Sequence, residues 1–175
     1  VADYIVIGEL GLDGAIMPVN GALPVAIHAN SRHKGLICPA AQGGEAAWSG
    51  LKDIIAAPSL AALINHLKGV QRLSVPEVRK AKTKVSDLDM ADVRGQETAK
   101  RALEIAAAGA HNVMMVGSPG SGKTFMAKCL PGIMPPMTKE ESIQTSEIYS
   151  IANLLDGGLI KQRPFRAPHH TITTP

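Results

Sequence analysis

The sequence predicts an α/β fold in two successive parts, and two observations carry that prediction. Residues 1–69 alternate short β-like runs with helix-like ones. Further along, Gly117–Thr124 reads Gly-Ser-Pro-Gly-Ser-Gly-Lys-Thr, between the apolar run Val113–Val116 and the helix-like stretch Phe125–Leu130. A complete phosphate-binding motif between a strand and a helix is the arrangement of P-loop α/β folds. Nucleotide binding is therefore the leading interpretation.

The pattern predicts five elements in the first part. They are strands at Tyr4–Glu9, Ala15–Val19 and Gly35–Cys38, and helices from Pro24 to about Ser31 and from Leu60 to Leu67. The first two strands flank a turn with hairpin chemistry, Leu12-Asp13-Gly14. Ser59 is a good N-cap for the second helix, whose apolar residues share one face, and Gly69 is its expected terminator. This part is an α/β unit.

A basic linker is predicted between the two parts, at 70–90, where the periodicity lapses. Between Lys68 and Lys84 the sequence carries six positive residues and a single negative one, Glu77. The strip reads either as a solvated connection or as a surface that faces the phosphates of a nucleic acid.

The second part, 91–175, is predicted to contain three helices and one strand. They are helices at Glu97–Ala108, Lys123–Leu130 and Lys139–Ser150, and a strand at Asn112–Val116. We expect Gly109 to end the first helix, Pro131-Gly132 to end the second, and a capping box at Thr138 to begin the third. Asp156-Gly157-Gly158 reads as a turn, and 161–174 as an extended tail.

The composition is that of a globular protein with an aliphatic core. Of the 175 residues, 45% are hydrophobic and 3% aromatic, so base recognition by aromatic stacking is disfavoured. The net charge of +3 is compatible with an acidic partner without requiring one. Cys38 and Cys129 have no metal-ligand or C-x-x-C spacing, which predicts two buried thiols instead of a disulfide or a zinc site.

Location and completeness are also predicted from the sequence. It has no apolar run of about eighteen residues and no signal-peptide pattern, so we expect a cytoplasmic protein with no membrane segment. Because the chain begins next to a strand-like run and stops at Pro175 without a closing element, we expect it to be a fragment.

The phosphate loop assigns a role to several of its residues. Gly120 and Gly122 allow the positive φ that turns successive N–H groups toward phosphate oxygens at a helix N-terminus. Lys123 is expected to reach the β and γ phosphates of ATP, or the β phosphate of ADP, and the Thr124 hydroxyl is expected to bind Mg²⁺. The candidate phosphate-binding residues are Gly117, Pro119, Gly120, Ser121, Gly122, Lys123 and Thr124.

Residues on either side of the loop resemble one branch of the AAA+ ATPases. Asp92–Glu97 resembles the AAA+ segment that contacts adenine, which implies a binding role for Val93, Arg94, Gly95 and Gln96. The tail Arg-Pro-Phe-Arg-Ala-Pro-His-His, from Arg163 to His170, resembles the pattern of the magnesium-chelatase-like branch.

The first part resembles the C-terminal half of a Lon-protease-like domain. The similarity lies in Gly8-Glu9-Leu10, Asp13-Gly14, Met17-Pro18-Val19, Gly21 and Leu36–Pro39. A Lon-like domain before a chelatase-like ATPase is the layout of the ComM/YifB family. That resemblance implies a partial Lon-like domain followed by the first part of an AAA+ α/β sandwich. It also implies a hexameric ATPase that acts on DNA, by branch migration during natural transformation.

Two departures from these patterns limit the expected activity. Where proteolytic Lon domains carry a lysine, this sequence has Leu23-Pro24-Val25, and the half that would carry the nucleophilic serine is absent. No protease is therefore expected. The sequence also has no apolar strand ending in Asp-Glu after the loop, the nearest match being Leu154–Gly157, which reads as a turn. We therefore expect this chain to bind ATP but to hydrolyse it poorly.

Alternatives remain for the tail and for the function. His169 and His170 point to opposite faces of an extended chain, which favours a structural or interface role over chelation of one metal ion. Arg163 and Arg166 either meet phosphates or are exposed surface residues, and His111 is assigned no chemistry. The rival functions are a magnesium-chelatase motor subunit and an assembly module that binds nucleotide without catalysis.

Overall fold

The computed structural model describes residues 2–78, 88–155 and 158–168. In chain order its elements are β1 (Tyr4–Val6), β2 (Glu9–Leu10), β3 (Ile16–Met17), α1 (Ala22–Ser31), β4 (Gly35–Pro39), α2 (Gly43–Ala46), β5 (Ile54–Ala57), α3 (Leu60–Leu67), α4 (Glu97–Gly109), α5 (Lys123–Ile133) and α6 (Lys139–Ile151). The predicted α/β class is confirmed.

Two compact units divide the chain. The first comprises Val1–Lys82 and Lys139–Ile160, and the second Thr83–Thr138 and Lys161–Pro175. Helix α6 therefore belongs to the same compact unit as the first part of the chain. The sequence pattern instead predicted that the first part ends at residue 69 and that the second part, with α6, begins at residue 91. Among the described residues, no helix is long and apolar enough to cross a membrane.

A three-stranded parallel sheet in the order β1-β4-β5 forms the centre of the first unit. β4 is buried at every position, which confirms the strand predicted at Gly35–Cys38. Helix α1 packs on this sheet and contributes Ala26 and Ala29 to a core with Leu36 and Cys38. The sequence pattern predicted no element at β5, although Ile54 and Ile55 are buried beside β4.

The hairpin is shorter than the sequence predicted. Antiparallel pairing joins β2 to β3 around the expected turn, with Glu9 opposite Met17 and Leu10 opposite Ile16. The single strand predicted at Tyr4–Glu9 is wrong, because Tyr4–Val6 pairs in parallel with β4 instead. Gly8, at a φ of 139°, separates β1 from β2.

Both helices predicted in the first part are present. Pro24 lies in the first turn of α1, and the Ser59 hydroxyl caps α3 by accepting from the N–H of Ala62 at 3.2 Å. Gly69, with a φ of 74°, directly follows the C-cap residue Lys68. The predicted apolar face of α3 is half-exposed, since Leu60, Ile64 and Leu67 keep 40–46% of their surface accessible.

Helix α6 packs against α1 through a stripe of serines. Ser142, Ser146 and Ser150 are buried, whereas Ile148 and Ile151 are more than half exposed. Each serine hydroxyl is hydrogen-bonded. Ser142 donates to the carbonyl of Ile160 at 2.5 Å, and Ser146 donates to the carbonyl of Ser142 at 2.6 Å while accepting from the N–H of Ile160 at 2.8 Å.

Glu45, on α2, joins α6 to the N-terminus of α1. Its Oε1 accepts from the Ser150 hydroxyl at 2.5 Å and from the backbone N–H of Leu23 at 3.2 Å. The N-cap residue of α1 is Gly21, which has no side chain to cap the helix, so a carboxylate from another element satisfies one of its free N–H groups. The N–H of Gly21 itself donates to the carbonyl of Ser150 at 3.3 Å.

The second unit is built on α4 and α5. Its buried cluster contains Leu103 of α4, Met126 and Cys129 of α5, and Met90 and Val93 from the segment before α4. Leu103, Ala106 and Ala107 of α4 are buried, and Ala99 packs against the cluster, so these residues form the inner face of the helix.

The predicted end of α5 is wrong, because the helix continues through Pro131 and Gly132 to Ile133. In its last turn Pro131 forfeits only the hydrogen bond to the carbonyl of Ala127. The C-cap residue is Met134, whose ψ of 149° lies outside the helical region. Pro135 follows Met134, and a proline disfavours helical geometry in the residue before it.

The strand predicted at Asn112–Val116 is also wrong in this structure. These residues belong to no strand, and Met114 and Val116 are more than 80% exposed. A strand needs a neighbour with which to exchange backbone hydrogen bonds. Neither sheet formed by the described residues includes this segment.

Several predictions concern residues outside the described ranges. They are part of the basic strip, at 79–87, the turn at Asp156-Gly157, and the end of the tail with His169 and His170. The described part of the tail, residues 161–168, contains no helix or strand, as predicted.

Candidate nucleotide site

The loop Gly117–Thr124 turns sharply into α5. Gly120 and Gly122 have φ values of 80° and 83°, the left-handed conformation that the sequence required of them. Gly122 is the N-cap residue of α5, and its carbonyl accepts from the N–H of Met126 at 3.0 Å. The loop therefore ends on the N-terminus of an eleven-residue helix, where free N–H groups and the helix dipole favour a negative charge.

Lys123 folds back across the loop that precedes it. Its Nζ donates to the carbonyl oxygens of Gly117 at 2.8 Å and Ser118 at 2.7 Å, and to the Ser121 hydroxyl at 3.0 Å. An ammonium group has three donors, and these three contacts employ all of them. These contacts hold the positive charge against Gly117, Ser118 and Ser121 of the loop, close to the N-terminus of α5.

Thr124 is exposed in the first turn of α5. No group of three or more His, Cys, Asp or Glu side chains suited to a metal exists among the described residues. The Thr124 hydroxyl is a group at this site that could bind Mg²⁺, with phosphate oxygens and water as the remaining ligands. Mg²⁺ commonly binds in that way in nucleotide sites.

The residues predicted to flank adenine lie in the same unit as the loop. Val93 is buried in the cluster that also holds Met126 of α5, whereas Arg94, Gly95 and Gln96 are exposed. Gly95 and Gln96 are both left-handed, with φ values of 67° and 58°. A capping box fixes the chain just before Gly95 and Gln96. The Asp89 side chain accepts from the N–H of Ala91, and the Asp92 side chain accepts from the N–H of Asp89.

The two cysteines are unsuited to reactivity. Burial raises the pKa of the Cys38 thiol to about 12, with a smaller contribution from the charge of Glu45. Burial also raises the pKa of Cys129, helped by Asp92 and Asp89. Both thiols are therefore neutral near pH 7, and the sequence prediction that they are buried is confirmed.

One residue of the site was missed by the sequence reasoning. The carbonyl of Ser118 makes the shortest contact with the Lys123 ammonium, yet Ser118 was not among the predicted residues. Every residue has a backbone carbonyl, so no side-chain pattern marks this role. Only the position of Ser118 directly after Gly117, where the loop begins, could have indicated it.

Comparisons with known proteins match both parts of the chain. A family model described as magnesium chelatase, subunit ChlI, matches residues 89–175. A second model, described as subunit ChlI of Mg-chelatase, matches residues 1–42.

Individual relatives match nearly the whole chain. The competence protein ComM of Haemophilus influenzae is 37% identical over 175 residues, covering 97% of this chain and 34% of ComM. YifB of Escherichia coli is 35% identical over 172 residues, covering 98% of this chain and 34% of YifB. An archaeal Lon protease of Halobacterium salinarum is 38% identical over 65 residues, covering 37% of this chain and 9% of the protease. The chain thus spans about a third of the length of ComM and YifB.

Proposed function

Because the chain belongs to the ComM/YifB family of magnesium-chelatase-like AAA+ proteins, we propose that its second unit binds ATP and ADP with Mg²⁺. The β and γ phosphates lie against Gly117–Thr124, with Lys123 neutralising their charge and Thr124 binding the metal. Val93, Arg94, Gly95 and Gln96 flank the adenine ring.

One observation supports this proposal most directly. The ammonium of Lys123 lies over a turn whose two left-handed glycines lead into the N-terminus of α5. A fixed positive charge and free helix N–H groups at one place provide what a polyphosphate needs. Metal-assisted chemistry at the γ phosphate would also require a carboxylate that polarises the attacking water. No Asp-Glu strand end follows the loop in this sequence, so we propose that the chain binds ATP and hydrolyses it poorly.

For the whole protein we propose an ATPase that acts on DNA as a hexameric ring, in recombination and natural transformation. The name of the Haemophilus relative, competence protein ComM, supports this role. The match of 37% of this chain to an archaeal Lon protease supports the presence of a Lon-like domain, which precedes the ATPase in the layout of this family. The first unit has no lysine at Leu23-Pro24-Val25, so we propose a structural or interaction role for it and not proteolysis.

A magnesium-chelatase motor subunit is the second candidate. The match of residues 89–175 to the ChlI model favours it. Turnover of the full-length protein separates the two, because branched DNA should stimulate a DNA-acting ATPase and leave a chelatase motor unaffected. An assembly module would show nucleotide binding and no turnover under either condition.

The nucleotide site itself is tested by the Lys123→Ala variant of this chain. Removing the ammonium should weaken binding of a fluorescent ADP analogue by more than about tenfold, the effect of losing a charge-assisted hydrogen bond. Lys128→Ala is the matched control, because Lys128 is an exposed lysine further along α5 and outside the loop. Equal affinity for ADP in both variants and the original chain would show that the site is assigned wrongly.

A further inference from the structure

We propose that the Ser121 hydroxyl competes with phosphate oxygens for the ammonium of Lys123 and is displaced from it when nucleotide binds. This inference rests on the proposed nucleotide site and adds a positioning role for Ser121. It predicts that Ser121 lowers the affinity of the loop for di- and triphosphates instead of raising it.

The ammonium of Lys123 already uses all three of its hydrogen-bond donors. Lys123 Nζ already donates to the carbonyls of Gly117 and Ser118 and to the Ser121 hydroxyl. Since an ammonium has three N–H bonds, a phosphate oxygen can receive a full hydrogen bond only if one existing acceptor leaves. Nucleotide binding is therefore an exchange of partners at Nζ.

Ser121 is the acceptor that can leave at the lowest cost. The two carbonyls belong to the backbone and cannot rotate away without changing the loop, and each would lose its hydrogen bond. The Ser121 oxygen can move to another side-chain rotamer by rotation about the Cα–Cβ bond, which leaves the loop backbone unchanged. Once released by Lys123, the Ser121 hydroxyl can turn to water, which replaces the lost hydrogen bond.

The geometry of the loop supports this choice. The Ser121 oxygen lies 3.0 Å from Nζ, an ordinary hydrogen-bond distance, whereas a charged phosphate oxygen would form a shorter and stronger bond to the ammonium. A Cβ at Gly117 would lie 3.2 Å from the same oxygen, so the absence of a side chain there leaves room for the hydroxyl. Ser121 also sits next to Gly122, the N-cap of α5, where an anion would bind.

The test is the affinity of the Ser121→Ala variant for nucleotides with and without a β phosphate. Alanine removes the competing acceptor and leaves the loop backbone unchanged. Binding of ADP and ATP should tighten by about two- to fivefold, the net worth of one solvent-accessible hydrogen bond. Binding of AMP should be unchanged, because its single phosphate does not reach Lys123. A general loosening or tightening of the loop would change all three affinities together.

Ser74→Ala is the matched control. It makes the same side-chain change at an exposed serine that lies outside the loop and has no part in the proposed site. We expect all three affinities of this variant to equal those of the original chain. Melting temperatures of both variants establish that they remain folded.

The outcomes separate this inference from the function on which it rests. If the original chain binds ADP, Lys123→Ala abolishes that binding, and Ser121→Ala weakens it or leaves it unchanged, the nucleotide site stands and the displacement of Ser121 is refuted. If the original chain does not bind ADP, the nucleotide site is refuted and the inference with it.

Discussion

Replacing Glu45 with alanine is expected to destabilise the first unit by about 2–4 kcal/mol. The half-buried carboxylate accepts hydrogen bonds from the Leu23 N–H and the Ser150 hydroxyl. A hydrogen bond to a charged acceptor contributes about 1.5–3 kcal/mol, and the attraction of a carboxylate to a helix N-terminus about 0.3–1 kcal/mol. Gly21 provides no side-chain cap for α1, so nothing on that helix replaces the lost acceptor.

Chemical unfolding followed by tryptophan fluorescence measures this effect. Trp48 is the single tryptophan of the sequence and lies in the first unit, just after the helix that carries Glu45. Its emission therefore reports the unfolding of that unit. The Glu45→Gln variant keeps an acceptor of the same size without the charge, and we expect it to lose about 1 kcal/mol.

Two further measurements test the role of the Glu45 carboxylate. Glu9→Ala removes an exposed glutamate from β2 in the same unit, and we expect a change within about 0.5 kcal/mol. In a double-mutant cycle, Glu45→Ala and Ser150→Ala should couple by about 1–2 kcal/mol. If Glu45→Ala matches Glu9→Ala, the carboxylate does not cap α1. If the free-energy changes of the two substitutions are simply additive, the Glu45–Ser150 hydrogen bond does not stabilise the packing of α6.

Two further predictions concern pH and the loop. Folding raises the pKa of Cys38 to about 12, because burial favours the neutral thiol. The stability that the neutral buried thiol contributes is therefore fully present below the ordinary thiol pKa and is lost as pH rises towards 12. Between about pH 9 and 11 the stability of the first unit should fall by roughly 1.4 kcal/mol per pH unit. Unfolding of Cys38→Ala over this range should show a flatter slope, and an unchanged slope would contradict the assignment. In the loop, Gly122→Ala places a side chain at a φ of 83°, at a cost of about 1–2 kcal/mol, and should weaken ADP binding. Its control is Gly132→Ala, an exposed position within α5 where alanine should be neutral or stabilising, and equal ADP affinities of the two variants would refute the requirement for glycine.

The loop was predictable from sequence because its determinants are local. Gly120, Gly122 and Lys123 stand within four consecutive positions, and the geometry of the turn follows from what each residue type permits. The N-cap of α3 by Ser59 was predictable for the same reason. In both cases, residues a few positions apart determine the conformation, and the structure shows the expected φ values and cap.

Elements that depend on distant residues were predicted less well. Met114 and Val116 form an apolar run typical of a strand, but pairing requires a neighbouring strand that the local sequence does not specify. The buried face of α6 was missed because burial there falls on serines, and an apolar pattern cannot indicate a polar buried stripe. The end of α5 was misplaced because Pro131, the predicted terminator, is tolerated inside its last turn.

The hydrogen bond from Gly21 to the carbonyl of Ser150 has a consequence for hydrogen exchange. An N-cap N–H has no partner within its own helix, so α1 alone cannot protect the Gly21 amide. Its protection comes from α6. The exchange rate of this amide should therefore follow the detachment of α6 and not the unfolding of α1. The amide resonance of Gly21, a residue more than a hundred positions from α6 in sequence, thus reports how often α6 detaches from the N-terminus of α1.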